Sequence, residues 1–331
     1  MKEVVISGIG AYAPSHIVTN EDLSAIVETS DEWIVDRTGI KERRISTGED
    51  TSSIATKAAK IAIERSGIKS EDLELIIVAT ITPDMCTPSV ACMVQKELGA
   101  SKATAFDVNA ACSGFIYGLQ IAESMMKIHG FKNSLIIGAE TLSKIIDWKD
   151  RGTCVLFGDG GGAAVLTESN IKGLINTFTK SDGSKYESLV AGAFDVENPY
   201  ALNVIKKNNK VQMKGGEVFR FATAAIVEAV KKVLLNTDYT LDDVSYIIPH
   251  QANLRIIDYA AKKLNVEKEI FYVNLDRFGN TSSASIPIAL NEMYEYGMLK
   301  DGDKIVLVGF GGGLTFGSVL IEWNKHNMNY C

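Results

Sequence analysis

The chain has 331 residues, of which 46% are hydrophobic and 23% are charged, as in an ordinary water-soluble globular protein. This length exceeds that of a typical single domain, so we expect two domains or two fused halves. The net charge of −7 argues against a general nucleic-acid partner, because nucleic acids bind basic surfaces. An acidic partner would need a local basic face.

The sequence gives no indication of export, membrane insertion or metal binding. The N-terminal stretch MKEVVISGIGAYAP reaches glycine and proline before an apolar run attains signal-peptide length, so we expect a cytoplasmic location without membrane contact. The cysteines are odd in number and lack a CxxC pair, and no histidines have metal-ligand spacing, so neither a disulfide frame nor a metal site is expected. These residues are Cys86, Cys92, Cys112, Cys154 and Cys331, with His16, His129, His250 and His326.

Strands alternate with helices through the first half of the chain. Runs of apolar residues predict strands at residues 4–8, 73–80, 105–108 and 135–140. Helical spacing predicts helices over residues 51–67 and 88–98, with stops at Gly67 and Gly99, and a long helix after Cys112. The glycine-rich stretch at residues 156–166 lacks the spacing of a phosphate-binding loop, so we interpret it as close backbone packing beside a site.

The second half repeats this order of elements. Predicted strands at residues 244–248, 271–275 and 305–309 correspond to those at residues 73–80, 105–108 and 135–140. Cys112 lies 23 residues before Leu135, and Asn280 lies 25 residues before Ile305, so Asn280 is predicted to be the counterpart of Cys112. We therefore predict an α/β fold of two duplicated halves, residues 1–170 and 171–331, whose equivalent turns face each other. Residues 171–215 are expected to hold the junction and an irregular excursion.

Cys112 lies where a short strand turns sharply into a helix, in the segment FDVNAACSGF. The first N–H groups and the dipole of a helix stabilise a thiolate at such a turn, so a lowered pKa and a nucleophilic role are expected. The alternative is a small buried hydrophobic side chain, which is the usual role of a free cysteine.

The second half of the chain places further polar groups at strand ends, as the first half does with Cys112. His250 follows a buried strand and a proline, at the strand end where α/β proteins place their sites. The glycine turn at residues 309–318 follows the strand at residues 305–309, and its amides together with the N–H of Cys112 could bind the oxygen of a thioester carbonyl.

A cysteine, a histidine and an asparagine admit two interpretations. In a papain-like hydrolase, the histidine deprotonates the cysteine and the asparagine orients the imidazole ring. In acyl transfer to a carbon nucleophile, both side chains instead donate to a carbonyl that becomes an enolate. Asn280 precedes its own helix at a turn like that of Cys112, which suits direct substrate contact and favours the second interpretation.

A polar segment near the N-terminus, TSDEWIVDRTGIKERR, places Trp33 near Arg37, Arg43 and Arg44. Tryptophan and arginine together can stack on an adenine ring and bind phosphates. A surface loop with ion pairs is the alternative.

Several motifs resemble the β-ketoacyl-acyl carrier protein synthase III family of the thiolase-like superfamily, in matching order over essentially the whole chain. They are AACSGF, PHQANLRII, DRFGNTSSAS, GFGGGLTFGS, DEWIVDRTGI, DRGT and LFGDGGGAAVL. The resemblance implies a thiolase-like fold of two similar α/β halves, a homodimer, and a condensing reaction that initiates fatty-acid synthesis. A thiolase itself is disfavoured, because the glycine turn lacks the second cysteine that deprotonates acetyl-CoA.

The resemblance also implies roles for individual residues. Cys112 would be the acylated nucleophile, His250 and Asn280 would stabilise the enolate, and the N–H groups of Cys112 and Gly312 would form the oxyanion hole. The residues implied to contact coenzyme A are Trp33, Arg37, Thr38, Arg151, Phe219 and Asn253. Those implied to line the acyl pocket are Leu142, Phe157, Leu189 and Phe310. Thr87 is implied to lie at the base of this pocket, contributed by the partner subunit of the dimer. Threonine is smaller than the phenylalanine that some members of the family carry there, which is compatible with a longer or branched primer.

The partners implied are an acyl-CoA substrate and a malonyl-acyl carrier protein, with no additional cofactor. Because carrier proteins are acidic, a basic docking face is expected on the segment NLRIIDYAAKKLN, with Leu254, Ile257 and Leu264 facing inward. The docking residues predicted there are Gln251, Arg255, Lys262 and Lys263. Two alternatives stay open, a relative that condenses a secondary metabolite and a scaffold that binds acyl-CoA or carrier protein without turnover.

Overall fold

The computed structural model describes residues 2–192 and 194–324. Cys331 and His326 lie outside these residues. The strands are β1 (Glu3–Tyr12), β2 (Ile17–Thr19), β3 (Glu42–Arg44), β4 (Leu75–Ala79), β5 (Thr104–Val108), β6 (Asn133–Glu140), β7 (Gly160–Ser169), β8 (Leu174–Ser181), β9 (Leu189–Val190), β10 (Gln212–Met213), β11 (Val244–Pro249), β12 (Lys304–Gly311) and β13 (Thr315–Glu322). The helices are α1 (Asn20–Ser24), α2 (Asp31–Thr38), α3 (Thr51–Ser66), α4 (Val90–Leu98), α5 (Gly114–His129), α6 (Gly215–Leu234), α7 (Leu254–Leu264), α8 (Leu275–Phe278) and α9 (Ser285–Glu295).

Two mixed sheets share one topology. The first has the order β1-β7-β6-β4-β5, and the second has the order β8-β13-β12-β11. In the first sheet, β4 lies between β6 and β5 and pairs with both in parallel. In the second sheet, β12 and β11 are parallel. All other neighbouring pairs in the two sheets are antiparallel. The predicted duplication of an α/β unit is therefore confirmed.

The predicted strand at residues 271–275 is wrong. Only Phe271 pairs with the sheet, through an isolated parallel bridge to Ile247, at the edge that β5 occupies in the first half. The chain leaves the sheet at once because Leu275 already begins helix α8, which ends at Gly279 in a backbone conformation (φ 63°) that favours glycine. The second sheet thus has four strands where the first has five.

The elements stack in five layers, with α5 and α9 between the two sheets. One core cluster joins these two helices to both sheets, through residues such as Phe115, Leu119 and Leu290. A second core lies under α3 and α4 on the outer face of the first sheet, and a third lies under α6 and α7 on the outer face of the second. The central layer therefore brings the N-termini of α5 and α9, one from each half, to the same level.

Glycines on the strands let these two helix starts approach the opposite strands. A Cβ atom built on Gly138 of β6 would lie 2.3 Å from the carbonyl oxygen of Ser283, and one built on Gly309 of β12 would lie 2.9 Å from the Cα of Ser113. A Cβ atom built on Gly162 of β7 would likewise lie 2.7 Å from the Cβ of Pro287 in α9. Residues 156–166 thus serve close backbone packing, as predicted, and a larger residue at these strand positions would push the halves apart.

The proposed boundary at residues 170 and 171 falls between β7 and β8, the strands at which the chain passes from the first sheet to the second. Residues 171–215 include β8, β9, β10 and long irregular stretches. None of the helices in residues 2–192 and 194–324 is both long enough and apolar enough to span a membrane.

Candidate functional site

Cys112 lies in a single 3-10 turn, Ala111–Ser113, between β5 and α5. Ala111 has a φ of 46°, a left-handed conformation that is strained for a residue with a side chain. Ser282 has the same conformation (φ 50°) in the turn Ser282–Ala284 that precedes α9. By this geometry the counterpart of Cys112 is Ser283, and that of Asn280 is Asn109, so the predicted equivalence of Asn280 and Cys112 is wrong by three residues.

The environment of Cys112 raises the pKa of its thiol to about 12. Burial is the main cause, since only 6% of the residue is exposed, and the nearby Glu140 carboxylate adds to it. A hydrogen bond with the Ser282 side chain opposes the rise. The expected lowering of this pKa by the helix N-terminus is therefore wrong, because desolvation of the thiolate outweighs it.

His250 directly follows β11, as predicted, and is 2% exposed. Its Nδ1 lies 2.7 Å from the Ser285 hydroxyl, and its ring packs edge-on against Phe310 with centroids 5.1 Å apart. Burial lowers the pKa of His250 to about 3, so the imidazole is neutral at physiological pH. When Ser285 donates to Nδ1, the ring proton is on Nε2, and Nε2 becomes a hydrogen-bond donor.

Asn280 is held by backbone and side-chain bonds on three sides. Its N–H donates to the carbonyl of Leu156 at 2.8 Å, and its own carbonyl accepts from Gly158 at 3.0 Å. Its Oδ1 accepts the Ser282 N–H at 2.9 Å. Because the oxygen of the amide is occupied, the nitrogen remains as a donor toward the cavity that Asn280 lines.

The glycine turn after β12 lies against the turn of Cys112. A Cβ atom built on Gly311 would lie 2.7 Å from the backbone nitrogen of Cys112. The hydroxyl of Thr315 contacts Ser113 Oγ at 2.7 Å and the carbonyl oxygens of Ala110 and Gly312 at 2.9 and 3.0 Å. The two turns are therefore fixed to each other, with Gly312 and Cys112 lining one cavity.

A cavity of about 280 Å³ extends from the surface to Cys112, His250 and Asn280. All six residues predicted to contact coenzyme A line it, namely Trp33, Arg37, Thr38, Arg151, Phe219 and Asn253. The guanidinium groups of Arg151 and Arg37 lie 5.0 and 5.9 Å from the centre of the Trp33 ring. Residues far apart in the sequence thus form one channel with a cationic, aromatic mouth.

Three of these six residues already use polar groups within the chain, and one of them, Arg151, donates to the carbonyl of Glu28 at 3.0 Å. The Thr38 hydroxyl donates to the carbonyl of Ile34 and accepts from the N–H of Ile40, so it closes the end of α2. The Asn253 side chain accepts from Arg255 N at 2.9 Å as the N-cap of α7 and donates to the Arg37 carbonyl at 2.9 Å. The contribution of Thr38 and Asn253 to the channel wall is therefore one of position, because Thr38 closes the end of α2 and Asn253 joins α7 to α2.

A second cavity of about 1000 Å³ also reaches Cys112, and it shares Phe157 and Leu189 with the first. Three of the residues predicted for the acyl pocket line it, namely Leu142, Phe157 and Leu189. Phe310 instead lines the first cavity, beside His250, because it lies on β12 rather than in the turn that follows. Thr87 is exposed and lines neither cavity within one chain.

Helix α7 exposes three of the four residues predicted for the basic docking face. Arg255, Lys262 and Lys263 are exposed, and Ile257 and Leu264 are buried. Gln251, however, is only 1% exposed, because its amide binds the backbone of Pro249, Tyr272 and Asn274, so its predicted place on the surface is wrong. Leu254 is also exposed rather than inward-facing, since it lies in the first turn of the helix, beside Gly39.

The Arg255 guanidinium is not free. It donates to the Asp36 carboxylate at 2.8 Å and to the Asp36 backbone carbonyl at 2.9 Å, which joins α7 to α2 at the channel mouth.

Three polar residues beside the site were missed by the sequence analysis. Ser285 contacts His250, Ser282 contacts Asn280, and the fully buried Glu140 contacts Ser282. Ser282 and Ser285 lie within the motif DRFGNTSSAS, and their spacing from Asn280 is the signal that could have identified them. Glu140 is the last residue of β6, and no motif in the sequence marks it as part of the site. In residues 2–192 and 194–324, no group of three or more His, Cys, Asp or Glu residues is placed to hold a metal ion.

Comparison with known proteins relates the whole chain to one family. Two family models match, the 3-oxoacyl-[acyl-carrier-protein] synthase III model over residues 106–183 and its C-terminal counterpart over residues 234–323. A β-ketoacyl-[acyl-carrier-protein] synthase III of Clostridium novyi is 59% identical over 98% of this chain and 100% of that protein. The crystal structure of 3-oxoacyl-[acyl-carrier-protein] synthase III from Aquifex aeolicus superposes with a TM-score of 0.91 at 47% identity, covering 97% of this chain and 100% of that one.

A further solved structure is the priming β-ketosynthase from the R1128 polyketide biosynthetic pathway, with a TM-score of 0.90 at 33% identity, covering 98% of this chain and 97% of that one. The two matched ranges lie in different halves and contain Cys112, His250 and Asn280. The chain belongs to the 3-oxoacyl-[acyl-carrier-protein] synthase III family, with its thiolase-like fold.

Proposed function

We propose that this protein condenses an acyl-CoA primer with malonyl-acyl carrier protein to give a 3-oxoacyl-acyl carrier protein, the step that initiates fatty-acid synthesis in a dissociated system. The acyl group first transfers to Cys112, and coenzyme A leaves. Malonyl-acyl carrier protein then enters the same channel and loses carbon dioxide. The resulting enolate attacks the acyl-cysteine.

One observation carries this proposal, the separate anchoring of His250 and Asn280. In a papain-like hydrolase the asparagine would orient the histidine, but here Ser285 contacts His250 Nδ1 and the Ser282 N–H occupies Asn280 Oδ1. With Ser285 donating to Nδ1, each side chain keeps a donor for the cavity, Nε2–H of His250 and Nδ2–H of Asn280. Two neutral donors suit an enolate oxygen, and decarboxylation requires no base.

Acylation and condensation both pass through a tetrahedral oxyanion. The backbone N–H groups of Cys112 and Gly312 are proposed to bind that oxygen, because both residues line the second cavity and their turns are joined through Thr315. The acyl chain of the primer would then extend along Leu142, Phe157 and Leu189. Phe310 would pack beside the reacting carbon, against the ring of His250.

Trp33 and Arg151 are proposed to hold the adenine of coenzyme A at the channel mouth. We expect Trp33→Ala to raise KM for acyl-CoA about tenfold, since stacking of a base on an aromatic ring contributes ~1–3 kcal/mol. KM for malonyl-acyl carrier protein should not change, because that substrate has no adenine. Steady-state kinetics with each substrate varied in turn measures both values, and an equal rise in the two would contradict the assignment.

Arg255, Lys262 and Lys263 are proposed to form the docking face for the acidic carrier protein, on the helix that borders the channel. We expect Arg255→Ala to raise KM for malonyl-acyl carrier protein at low salt, and to leave acylation of Cys112 by acyl-CoA unchanged. The difference from the unmodified protein should diminish at high salt, because ions screen the same attraction.

Two further variants test this docking face. Lys96→Ala removes an equal charge from α4 on the outer face of the first sheet, and should have no effect. Asp36→Asn releases Arg255 from its ion pair and should lower KM. If Arg255→Ala and Lys96→Ala behave alike at low salt, the docking face lies elsewhere.

A homodimer is part of the proposal. Strand β5 is an edge of the first sheet, so one side of its backbone is free to pair with another strand. Beside it, Met85, Cys86 and Thr87 are exposed at the open second cavity or next to it. A partner subunit there would close the acyl pocket, and Thr87 would become a pocket residue only in the dimer. No additional cofactor is required, because coenzyme A enters as part of the acyl-CoA substrate and leaves as a free thiol.

A panel of acyl-CoA primers tests the function and its nearest alternative. Acetyl, butyryl, isobutyryl and isovaleryl CoA would each be supplied with malonyl-acyl carrier protein, and the 3-oxoacyl product measured. Turnover of a simple acyl primer supports the proposed step. The likeness to a priming ketosynthase of a polyketide pathway makes a secondary-metabolite primer the alternative, and exclusive use of such a primer would favour it. Binding of acyl-CoA without any product would indicate a scaffold.

A further inference from the structure

Arg43 is a fully buried arginine on the short strand β3. Its Nη1 donates to the carbonyl of Val18 at 3.1 Å, and its Nη2 donates to the carbonyl of Val155 at 2.7 Å. In the described part of the chain these carbonyls are its hydrogen-bond partners, and its Nε has none. Burial lowers the pKa of Arg43 to about 10, so the side chain is still charged at physiological pH. Arg43 lines neither cavity, so the phosphate-binding role suggested by its place near Trp33 does not apply to it.

A guanidinium group that is taken out of water without a carboxylate partner is costly, and an apolar side chain could fill the same space. Arg43 provides what an apolar side chain cannot, two directed donors that join separate backbone segments. One segment is β2, which pairs with β3. The other contains Val155, Leu156 and Phe157, which line the channel to the reactive residues. The chemistry of Arg43 therefore bears on the wall of the site.

Strand β3 holds residues 155–159 at both ends. At one end the Arg43 side chain binds the carbonyl of Val155. At the other end the backbone carbonyl of Arg44 accepts the N–H of Asp159 at 2.8 Å. Loss of the Arg43 guanidinium would release the first of these two ends and leave a buried carbonyl without its donor.

The middle of this segment holds the backbone of Asn280. The carbonyl of Leu156 accepts the Asn280 N–H at 2.8 Å, and the Gly158 N–H donates to the Asn280 carbonyl at 3.0 Å. Cβ atoms built on Gly158 and Gly279 would each lie 3.2 Å from the Cβ of Arg43, so both sides of this contact pack on the stem of the arginine. The position of Asn280 therefore depends on a segment that Arg43 anchors.

The other two reactive residues have separate anchors. His250 follows β11 and contacts Ser285, and the turn of Cys112 packs on the glycine turn after β12. Neither contact involves residues 155–159. A displacement of that segment would thus move Asn280 and leave these two anchors in place.

We propose that Arg43 is a positioning residue for Asn280, acting through the carbonyl of Val155 and residues 156–158. It fixes the direction of the peptide unit between Val155 and Leu156, and hence the point at which the Asn280 Nδ2–H meets the enolate oxygen. Arg43 thus supports decarboxylation of the malonyl group rather than acylation of Cys112. This inference rests on the proposed function.

Arg43→Met removes both donors and keeps an unbranched apolar side chain. We expect it to slow release of carbon dioxide from malonyl-acyl carrier protein about tenfold, a part of the loss expected when the Asn280 donor is removed altogether. Release of coenzyme A at saturating acyl-CoA should stay near that of the unmodified protein. Saturation is needed because Phe157, in the displaced segment, lines the channel and could alter KM.

A double-mutant cycle separates positioning of Asn280 from a general structural role. If Arg43 acts through Asn280, Arg43→Met should cause no further loss of decarboxylation in Asn280→Ala. In His250→Ala, where the Asn280 donor remains, Arg43→Met should still cost about tenfold. A further tenfold loss in Asn280→Ala would overturn the proposal. Equal losses in acylation and decarboxylation, or unchanged decarboxylation in Arg43→Met, would also overturn it.

Arg65→Met is the matched control. Arg65 also donates to a backbone carbonyl, that of Ile9 at 3.0 Å, but it contacts Asn291 and Glu295 near the C-terminal end of α9. Its replacement should lower the midpoint of thermal unfolding and leave both half-reactions unchanged. A loss of decarboxylation equal to that of Arg43→Met would attribute the effect to lower stability, against the proposal.

Arg43→Lys carries the test if Arg43→Met folds poorly, as the midpoint of thermal unfolding would reveal. Lysine keeps the charge but not the planar fork that reaches two carbonyls, so we expect a smaller loss of decarboxylation with the same dependence on Asn280. A loss in Arg43→Lys that persists in Asn280→Ala would overturn the proposal. If the unmodified protein itself releases no carbon dioxide from malonyl-acyl carrier protein, the proposed function fails rather than this inference alone.

Discussion

Replacement of Cys112 by serine is expected to abolish the covalent acyl-enzyme and to lower condensation by at least about a thousandfold, because a serine hydroxyl here is a far weaker nucleophile than a thiolate. The variant keeps nearly the same volume in a 6% exposed site, so the free energy of unfolding should change little. Incubation with radiolabelled acyl-CoA, followed by peptide mapping, measures the loss directly.

Cys154→Ala is the control for this experiment. Cys154 is also buried, but it lies behind the channel wall in the core under α6 and α7. Its replacement should leave the labelled peptide unchanged. Label on a peptide that contains any cysteine other than Cys112 would remove Cys112 from its proposed role.

His250→Ala and Asn280→Ala are each expected to reduce decarboxylation of malonyl-acyl carrier protein by about a hundredfold to a thousandfold, the usual effect of removing one oxyanion donor. Acylation of Cys112 should persist in both variants, since neither side chain is required to activate the thiol. Release of carbon dioxide and release of coenzyme A, measured on the same preparation, separate the two half-reactions. Acylation in each variant is thus its own control for folding.

The pH dependence of decarboxylation provides a further check on the same residues. Burial lowers the pKa of His250 to about 3, so the ring is neutral, and able to act as proposed, above that pH. No change in rate between pH 6 and pH 8 should be attributable to the titration of His250.

If His250→Ala or Asn280→Ala lost acylation and kept decarboxylation, a hydrolase-like role for the two residues would replace the one proposed here.

The sequence allowed much of the fold to be predicted because its patterns are local. Helix α3 ends at Gly67 and α4 at Gly99, both in left-handed conformations, as the glycine stops predicted. The repeat was visible because β4, β6, β11 and β12 each contain a run of apolar residues. The predicted strand at residues 271–275 failed because Phe271 alone pairs with its neighbour, and a pattern of apolar residues does not report how long a strand stays paired.

The site residues that the sequence analysis missed depend on tertiary contacts. Glu140 is the last residue of strand β6, and nothing nearby in the sequence indicates that Thr80, Thr82 and Ser282 surround it. The pKa of Cys112 was predicted in the wrong direction, because a helix start is a local feature whereas burial is not. Gln251 was placed on the surface from its neighbours in sequence, although its amide groups satisfy buried backbone atoms.

The most direct test of the central claim is the mass of the protein through one reaction cycle. After incubation with acetyl-CoA, intact-mass spectrometry should show one added acetyl group per chain, located on the peptide that contains Cys112. Addition of malonyl-acyl carrier protein should then remove that group and yield an equal amount of 3-oxobutyryl-acyl carrier protein. An acetylated protein that returns free acetate instead, or one that stays acetylated in the presence of malonyl-acyl carrier protein, would contradict the proposed condensation.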